Sequence, residues 1–460
     1  MEALKIRRTK LGHNDIATIK AEAHLGCTYF ALGNYDDAKK LQEGVLEKRR
    51  KLLGERHLDT VKATVKLALT FAKLGRLTQA QSLQEEALKL RTVLLGEGNT
   101  DTITSMSNLA STYTRLGRQA DAERLQLKVL ELRKKILGKD HMDTIISSEN
   151  LAITYYSQGK YDEARPLQEE ALSIRNNILG PNNPATIKAQ AHLGCTYFAL
   201  GRYPDARRLQ VEVLEKRKRI LGKFHLDTIK ATVKLALTLA ELGRLAEAES
   251  LQKEALDLRM KLLKEEHPDT ITAMSNLART YTCLGRHADA ERLKLRVLEL
   301  RKNVLGEDHM DTIISSQNLA VTYYSQERYE EARPLQEAVL RRCDQMVGPS
   351  HAQTAQAMMH LGSIFYKLGM VQDAENLARR AEQIQCRELA YEHAVHKQTM
   401  ELLRTIRKHK QRSNDVDHDT SSQSTRRATR LNTRGYPDYR HSGLRRSRRC
   451  ANTKGASPAS

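Results

Sequence analysis

The apolar residues of this chain recur at intervals of three and four, the spacing that gathers them on one face of a helix. Between Asp101 and Gly138, Leu109, Ala110, Tyr113 and Leu116 make one such stripe. Ala122, Leu125, Val129, Leu132 and Ile136 make a second. Gly117 falls between them, where a helix end wants a left-handed cap, and Gly138 closes the second stripe. Asp101 and Thr102, at the head of the stretch, have the side chains that cap a helix start. The pattern predicts a unit of helix, tight turn, longer helix and short loop.

That unit repeats. Leu-Gly recurs at Leu11, Leu53, Leu95, Leu137, Leu179, Leu221 and Leu305, and Leu263-Lys264 and Val347-Gly348 keep the register, with 42 residues between successive marks. A threonine follows each mark at a fixed offset: Thr18, Thr60, Thr102, Thr144, Thr186, Thr228, Thr270, Thr312 and Thr354. One helical hairpin cannot hide its own apolar stripe, so its neighbours must cover it, and stability becomes a sum over adjacent units. The expected fold is an all-α superhelical solenoid of about nine helix-turn-helix repeats. Helices packed 8–10 Å apart give it a contour on the order of 150 Å.

A longer period overlies the first. HLGCTYFALG stands at His24–Gly33 and His192–Gly201, KATVKLALT at Lys62–Thr70 and Lys230–Thr238, and HMDTIISS at His141–Ser148 and His309–Ser316, each pair 168 residues apart. Residues 13–180 and 181–348 therefore read as a duplicated block of four units, and 349–386 as a divergent ninth. Residues 1–12 read as a truncated half-repeat helix whose Leu4 and Ile6 lack a preceding neighbour, an open face for self-association. Residues 387–410 read as a capping helix. Residues 411–460, rich in Ser, Thr, Arg and Asn, read as a disordered basic tail, because too little apolar surface is on offer to offset the ordering entropy.

Composition narrows the function classes. The net charge is +20, and Arg407–Ser460 carries 14 Lys/Arg against 4 Asp, so about half the excess belongs to the tail. A basic arm of that kind can contact nucleic acid through phosphates, which makes a nucleic-acid-associated scaffold one alternative reading. Six cysteines show no CxxC pair and no metal-ligand spacing, and read as reduced thiols of a cytoplasmic protein. Cys27 and Cys195 occupy equivalent sites and read as small hydrophobes. No apolar run is long enough for a membrane span. A nucleophile elbow, P-loop, HExxH and paired zinc ligands are all missing from the sequence, so no enzyme, cofactor or metal is expected. His57, His141, His225, His267, His309 and His351 recur once per loop and read as caps or packing residues rather than ligands.

The run Leu-Ala-x-x-Tyr-x-x-Leu-Gly-x-x-x-x-Ala from Leu109 to Ala122 resembles the tetratricopeptide repeat. The 42-residue period, the loop Leu-Gly-x-x-His-x-Asp-Thr and the Asn-Leu-Ala at Asn108, Asn150, Asn276 and Asn318 resemble the kinesin light chain subclass. Long arrays of this kind also resemble the C-terminal sensor regions of NLR-like nucleotide-switch proteins, a second alternative. The resemblance implies that the first helix of each unit lines a concave groove. It places Lys20, His24, Lys62, Lys66, Asn108 and Asn150 toward a ligand, and Lys188, His192, Lys230, Lys234, Asn276 and Asn318 in the duplicate. Lys62/Lys66 and Lys230/Lys234 stand four residues apart, so like charges share a face and repel by a few tenths of a kcal/mol. An acidic group arriving between them would relieve that cost. Asparagine offers both donor and acceptor to an extended backbone. The expected function is a non-catalytic scaffold or adaptor that holds extended, acidic peptide segments of other proteins. Tyr113, Tyr155, Tyr281 and Tyr323 read as core, while Phe30, Tyr156, Phe198 and Tyr324 stand one residue further round, toward the groove.

Overall fold

The computed structural model describes residues 2–388 and 394–426, with side chains over 4–387 and 395–411. Every described element is a helix. In order these are α1 (Glu2–Leu11), α2 (Ile16–Ala31), α3 (Tyr35–Leu53), α4 (Leu58–Lys73), α5 (Leu77–Leu95), α6 (Thr100–Arg115), α7 (Gln119–Leu137), α8 (Met142–Ser157), α9 (Tyr161–Leu179) and α10 (Pro184–Ala199). They continue as α11 (Tyr203–Leu221), α12 (Leu226–Glu241), α13 (Leu245–Leu263), α14 (Pro268–Cys283), α15 (His287–Leu305), α16 (Met310–Ser325), α17 (Tyr329–Val347), α18 (Ala352–Lys367), α19 (Val371–Glu388) and α20 (Ala394–Arg426). The chain divides into two compact units, residues 1–238 and 239–460, the division falling inside α12.

Within each unit the helices pack on those next in order, and first helices of neighbouring repeats also touch, as α2 does α4 and α4 does α6. This is the helix-turn-helix solenoid that the period required. On the second helices Ala38, Ala80, Ala122, Ala164, Ala206, Ala248, Ala290, Ala332 and Ala374 are fully buried, so the paired backbones approach closely. On the first helices Ile103, Ile145, Ile187, Ile229, Ile271 and Ile313 are 1–3% exposed. Hiding each such side chain is worth about 2–3 kcal/mol, which is how a repeat with no core of its own is held by its neighbours.

The recurrent threonine is buried in every repeat. In some repeats its hydroxyl closes the loop: Thr144 donates to the Gly138 carbonyl at 2.8 Å, Thr312 to that of Gly306 at 2.8 Å and Thr354 to that of Gly348 at 2.7 Å. The helix caps differ from expectation. Asp101 and Thr102 lie inside α6, and the cap is Asn99, whose Oδ1 accepts from the Asp101 amide at 2.9 Å. The capping slot lies two residues earlier than the sequence suggested. In most other repeats a histidine fills it: His57, His141, His225, His267, His309 and His351 each accept an amide hydrogen through Nδ1 at 3.1–3.2 Å. Such a bond fixes the imidazole as an acceptor, so these side chains finish helices rather than bind metal.

The second helices end on glycine with positive φ, for example Gly54 at +82° and Gly96 at +81°. Lys264 holds the same place with φ +68° and ψ +173°. Leu4 is buried and Ile6 is half exposed. At the other end α20 packs on α18 and α19 through Leu403 and Ile406. The helix runs on to Arg426, past the Lys410 boundary read from the sequence. Neither glycine nor proline occurs between Gln411 and Arg426, the first being Gly435, so nothing in the backbone chemistry stops it. The rest of the basic tail, 427–460, lies outside the described residues. No described helix is long and apolar enough to cross a membrane.

Candidate functional site

Three helices in the first unit line a cavity of about 120 Å³ that is open to solvent on one side. Ala23, His24 and Cys27 line it from α2, Gln42, Val45 and Arg49 from α3, and Lys62, Ala63 and Lys66 from α4. Three of the residues expected to face a ligand, His24, Lys62 and Lys66, thus share one site. All three are exposed, and neither lysine forms an ion pair among the described residues. Lys20 is exposed on α2 one turn before His24 and does not line the cavity.

Sequence reasoning missed the two polar residues that α3 supplies. Gln42 is 4% exposed. Its Oε1 accepts from the Thr70 hydroxyl at 2.6 Å, while its Nε2 is buried with no partner. A buried amide N–H without an acceptor costs about 1–3 kcal/mol, so the cavity holds an unspent donor. Arg49 spends one donor on the Asp59 carbonyl at 2.7 Å, tying the second helix of its repeat to the start of the next. The same bond runs from Arg91, Arg133, Arg217 and Arg301 to the carbonyls of Asp101, Asp143, Asp227 and Asp311 at 2.6–2.9 Å. Burial depresses the pKa of these four guanidiniums, while the following aspartate pulls the other way. A signal for both residues was present: glutamine recurs at Gln42, Gln84, Gln126, Gln168, Gln210 and Gln252, and arginine at Arg49 through Arg301, on the 42-residue period.

The duplicate reproduces the lining without a change: Ala191, His192, Cys195, Gln210, Val213, Arg217, Lys230, Ala231 and Lys234. Lys188 stands exposed one turn before His192. Its framework bonds match as well. Thr238 donates to Gln210 Oε1 at 2.6 Å, and Arg217 to the Asp227 carbonyl at 2.8 Å. Other positions on α3 have drifted: Lys39, Glu43, Gly44 and Arg50 are answered on α11 by Arg207, Val211, Glu212 and Lys218. His192 is half-buried, and burial first, with Lys188 second, lowers its pKa below the usual histidine range.

The asparagines stand apart from the cavity. Asn108 on α6, Asn150 on α8 and Asn276 on α14 are half-buried, and Asn318 on α16 is exposed. Their side-chain amides have no hydrogen-bond partner among the described residues, although the Asn108 carbonyl accepts from Thr112 at 3.2 Å. Tyr113, Tyr281 and Tyr323 are buried, and Tyr155 is half-buried. Tyr113 donates to Glu85 at 2.8 Å, and burial with that bond pushes its pKa up to about 12. The aromatics one residue further round are half-buried. Phe30, Tyr156, Phe198 and Tyr324 meet Tyr35, Tyr161, Tyr203 and Tyr329 edge to face at 5.1–5.5 Å, inside their own repeats. Among the described residues no group of three His, Cys, Asp or Glu side chains is placed to hold a metal ion.

Comparison with known proteins adds to this. The family profile "Tetratricopeptide repeat" matches residues 17–92, 59–135, 101–177, 143–219, 227–303, 281–345 and 312–387. No curated protein matches. A solved structure of nearly identical TPR-like repeats from a Podosopora anserina kinesin light chain candidate is similar at 26% identity, covering 44% of this chain and 96% of that one, with a TM-score of 0.41. BtubC (BKLC) from P. vanneervenii is similar at 20% identity, covering 50% and 92%, with a TM-score of 0.43. The apo form of the quorum sensor NprR from B. thuringiensis is similar at 15% identity, covering 71% and 87%, with a TM-score of 0.54. At that identity the likeness concerns the fold alone.

Proposed function

The chain belongs to the tetratricopeptide repeat family, and from that premise we propose that this protein-interaction scaffold takes extended, acidic segments of partner proteins into its groove. Arrays of this fold present long binding surfaces rather than a reaction centre. The observation that carries the acidic preference is the lysine pair Lys62/Lys66, exposed, four residues apart and without an ion-pair partner among the described residues. On the second helices, by contrast, cations are matched, as Arg50 is by Glu86 at 2.7 Å and Lys128 by Glu97 at 2.7 Å. A carboxylate between the lysines relieves their repulsion, and the unspent Gln42 donor gives it a hydrogen bond. The amides of Asn108 and Asn150 suit the backbone of the same ligand, since an amide matches both peptide N–H and C=O.

The test is fluorescence anisotropy with two short extended peptides, one rich in glutamate and its counterpart with every glutamate replaced by glutamine. The acidic peptide should bind in a salt-sensitive way and the neutral one should not. Charge reversal at Lys62, Lys66, Lys230 and Lys234 together should remove binding while leaving helical content intact. Equal affinity for the neutral peptide, or unchanged binding by the reversed chain, would sink the reading.

A further inference from the structure

His24, Lys66, Asn108, Asn150, His192 and Lys234 occupy one register position on α2, α4, α6, α8, α10 and α12, all within residues 1–238. First helices of successive repeats touch along the first of these steps, α2 to α4, α4 to α6 and α6 to α8. The position therefore traces a track whose chemistry runs imidazole, cation, amide, amide, imidazole, cation. Each cationic end has the same lining, residue for residue, while other positions on the same helices have diverged. Between the ends the track is not cationic. The register position one turn earlier, lysine at both ends, becomes Thr104 on α6 and Ile146 on α8, the latter 37% exposed. One acid stands in this interval beside Asn150: Glu149, engaged by Arg175 at 2.7 and 2.8 Å.

We infer that the two ends serve one ligand: a single extended segment with two acidic clusters joined by an uncharged spacer, each cluster at one lysine pair and the spacer along Asn108 and Asn150. This rests on the acidic-groove reading and goes beyond it by fixing the ligand's charge pattern and spacing. Four steps between neighbouring first helices at about 10 Å each separate Lys66 from Lys234, roughly 40 Å in all. At about 3.3 Å per extended residue the spacer is about twelve residues long. Glu149 disfavours acid in the spacer and also weakens the second cluster. A weak second site still contributes when its ligand is tethered, because the tether holds it at an effective concentration in the millimolar range.

Titration calorimetry on the full chain tests this with peptides carrying one glutamate cluster, or two joined by Gly/Ser/Asn spacers of about four, twelve or thirty residues. The spacer near twelve should bind one to one and about a hundredfold more tightly than the single-cluster peptide, with the short spacer giving no such gain and the long one part of it. Lys230→Glu with Lys234→Glu should erase the gain and leave single-cluster binding in place. The milder pair Lys230→Gln with Lys234→Gln repeats the test should the reversed chain lose helix. Two-cluster peptides no tighter than the single-cluster one at any spacing, or a gain that survives both pairs of substitutions, would overturn the inference and leave the acidic groove standing. Failure of the single-cluster peptide to bind at all would remove both.

Discussion

The two cationic clusters have the same lining and different supports. Behind the first, Glu22 is 2% exposed and holds Arg8 at 2.8 Å and Lys48 at 2.7 Å. Behind the second, its counterpart Gln190 accepts from Lys216 at 2.9 Å and donates to Glu212 at 2.5 Å. Glu212 stands where the first block has Gly44. The carboxylate has thus been replaced by an amide, and a new acceptor has appeared for the amide's extra hydrogens. The Glu149–Arg175 pair in front of the second cluster shows the same rule, its counterparts in the next block being Gln317 and Cys343. Buried polar partners are exchanged together because either change alone strands the other group. The lining is kept, including Lys62 and Lys66, which form no ion pair among the described residues. That contrast is what a ligand-facing surface on a structural frame predicts.

The largest effect should come from disabling the clusters separately. The first has no acid on its lysines, whereas Glu149 acts on His192 in the second and opposes the effect of Lys188 there. Lys230→Glu with Lys234→Glu should weaken a two-cluster acidic peptide about a hundredfold, the whole tether gain, and Lys62→Glu with Lys66→Glu should cost at least several-fold more, because only the weaker cluster is left. Equal losses measured by anisotropy would mean that the frames do not distinguish the two clusters.

Next is the frame itself. Burial raises the Glu22 pKa, but the hydrogen bonds from Lys48 and Arg8 outweigh it, so the carboxyl titrates below its ordinary value of 4.5. A depressed carboxyl stabilises the fold above the unfolded pKa, and that stability is lost as pH falls through the folded one. Glu22→Gln should therefore cost about 2 kcal/mol at pH 7 and less at about pH 3. Adding Gly44→Glu, which transplants the second block's pair, should recover more than Gly44→Ala does through helix propensity alone. Denaturant unfolding at the two pH values reads this out. A penalty independent of pH would mean that the charge on Glu22 does not matter.

A smaller effect sits between the blocks. Glu149→Gln removes the acid near His192 and should tighten a single-cluster peptide at the second site about threefold, near 0.7 kcal/mol. Part of the stability lost at Arg175 should return with Arg175→Cys, the residue that the second block carries. Calorimetry showing no change at the second site would place Glu149 outside the ligand's field.

How much of this was legible beforehand follows from what repeats. The 42-residue period carried the helices, the buried threonine and alanine columns and the all-α solenoid, because a packing position must be refilled in every unit. His24, Lys62 and Lys66 were legible as a site because they vary along a column that the resemblance turned toward the groove. Gln42 and Arg49 went unseen because their columns hardly vary over the first eight repeats, giving way only at Lys294 and Cys343, so nothing singles out these two members. Only the fold shows that one spends its carbonyl on Thr70 and the other a donor on Asp59. The caps were misplaced by two residues because Asn99, Asp101 and Thr102 are all competent, and only the register of α6 selects among them. The ring contact of Phe30 with Tyr35, the first residue of the next helix, was not legible, because nothing in the period marks which rings meet.

The last difference between the blocks concerns backbone alone. Gly96 and Lys264 end equivalent helices with nearly the same geometry, φ +81°, ψ +162° and φ +68°, ψ +173°. Glycine occupies that region freely, whereas a side chain there costs on the order of 1–3 kcal/mol. The second block carries that strain and the first does not. Lys264→Gly should raise stability by about 1 kcal/mol, less than the full strain because glycine also loosens the unfolded chain. Gly96→Lys should lower it by a similar amount. Neither end lies near a cationic cluster, so peptide affinity should stay unchanged while the denaturation midpoint moves. A Lys264→Gly chain no more stable than the parent would show that contacts of the lysine side chain already offset the strain, and that the blocks differ here in sequence only.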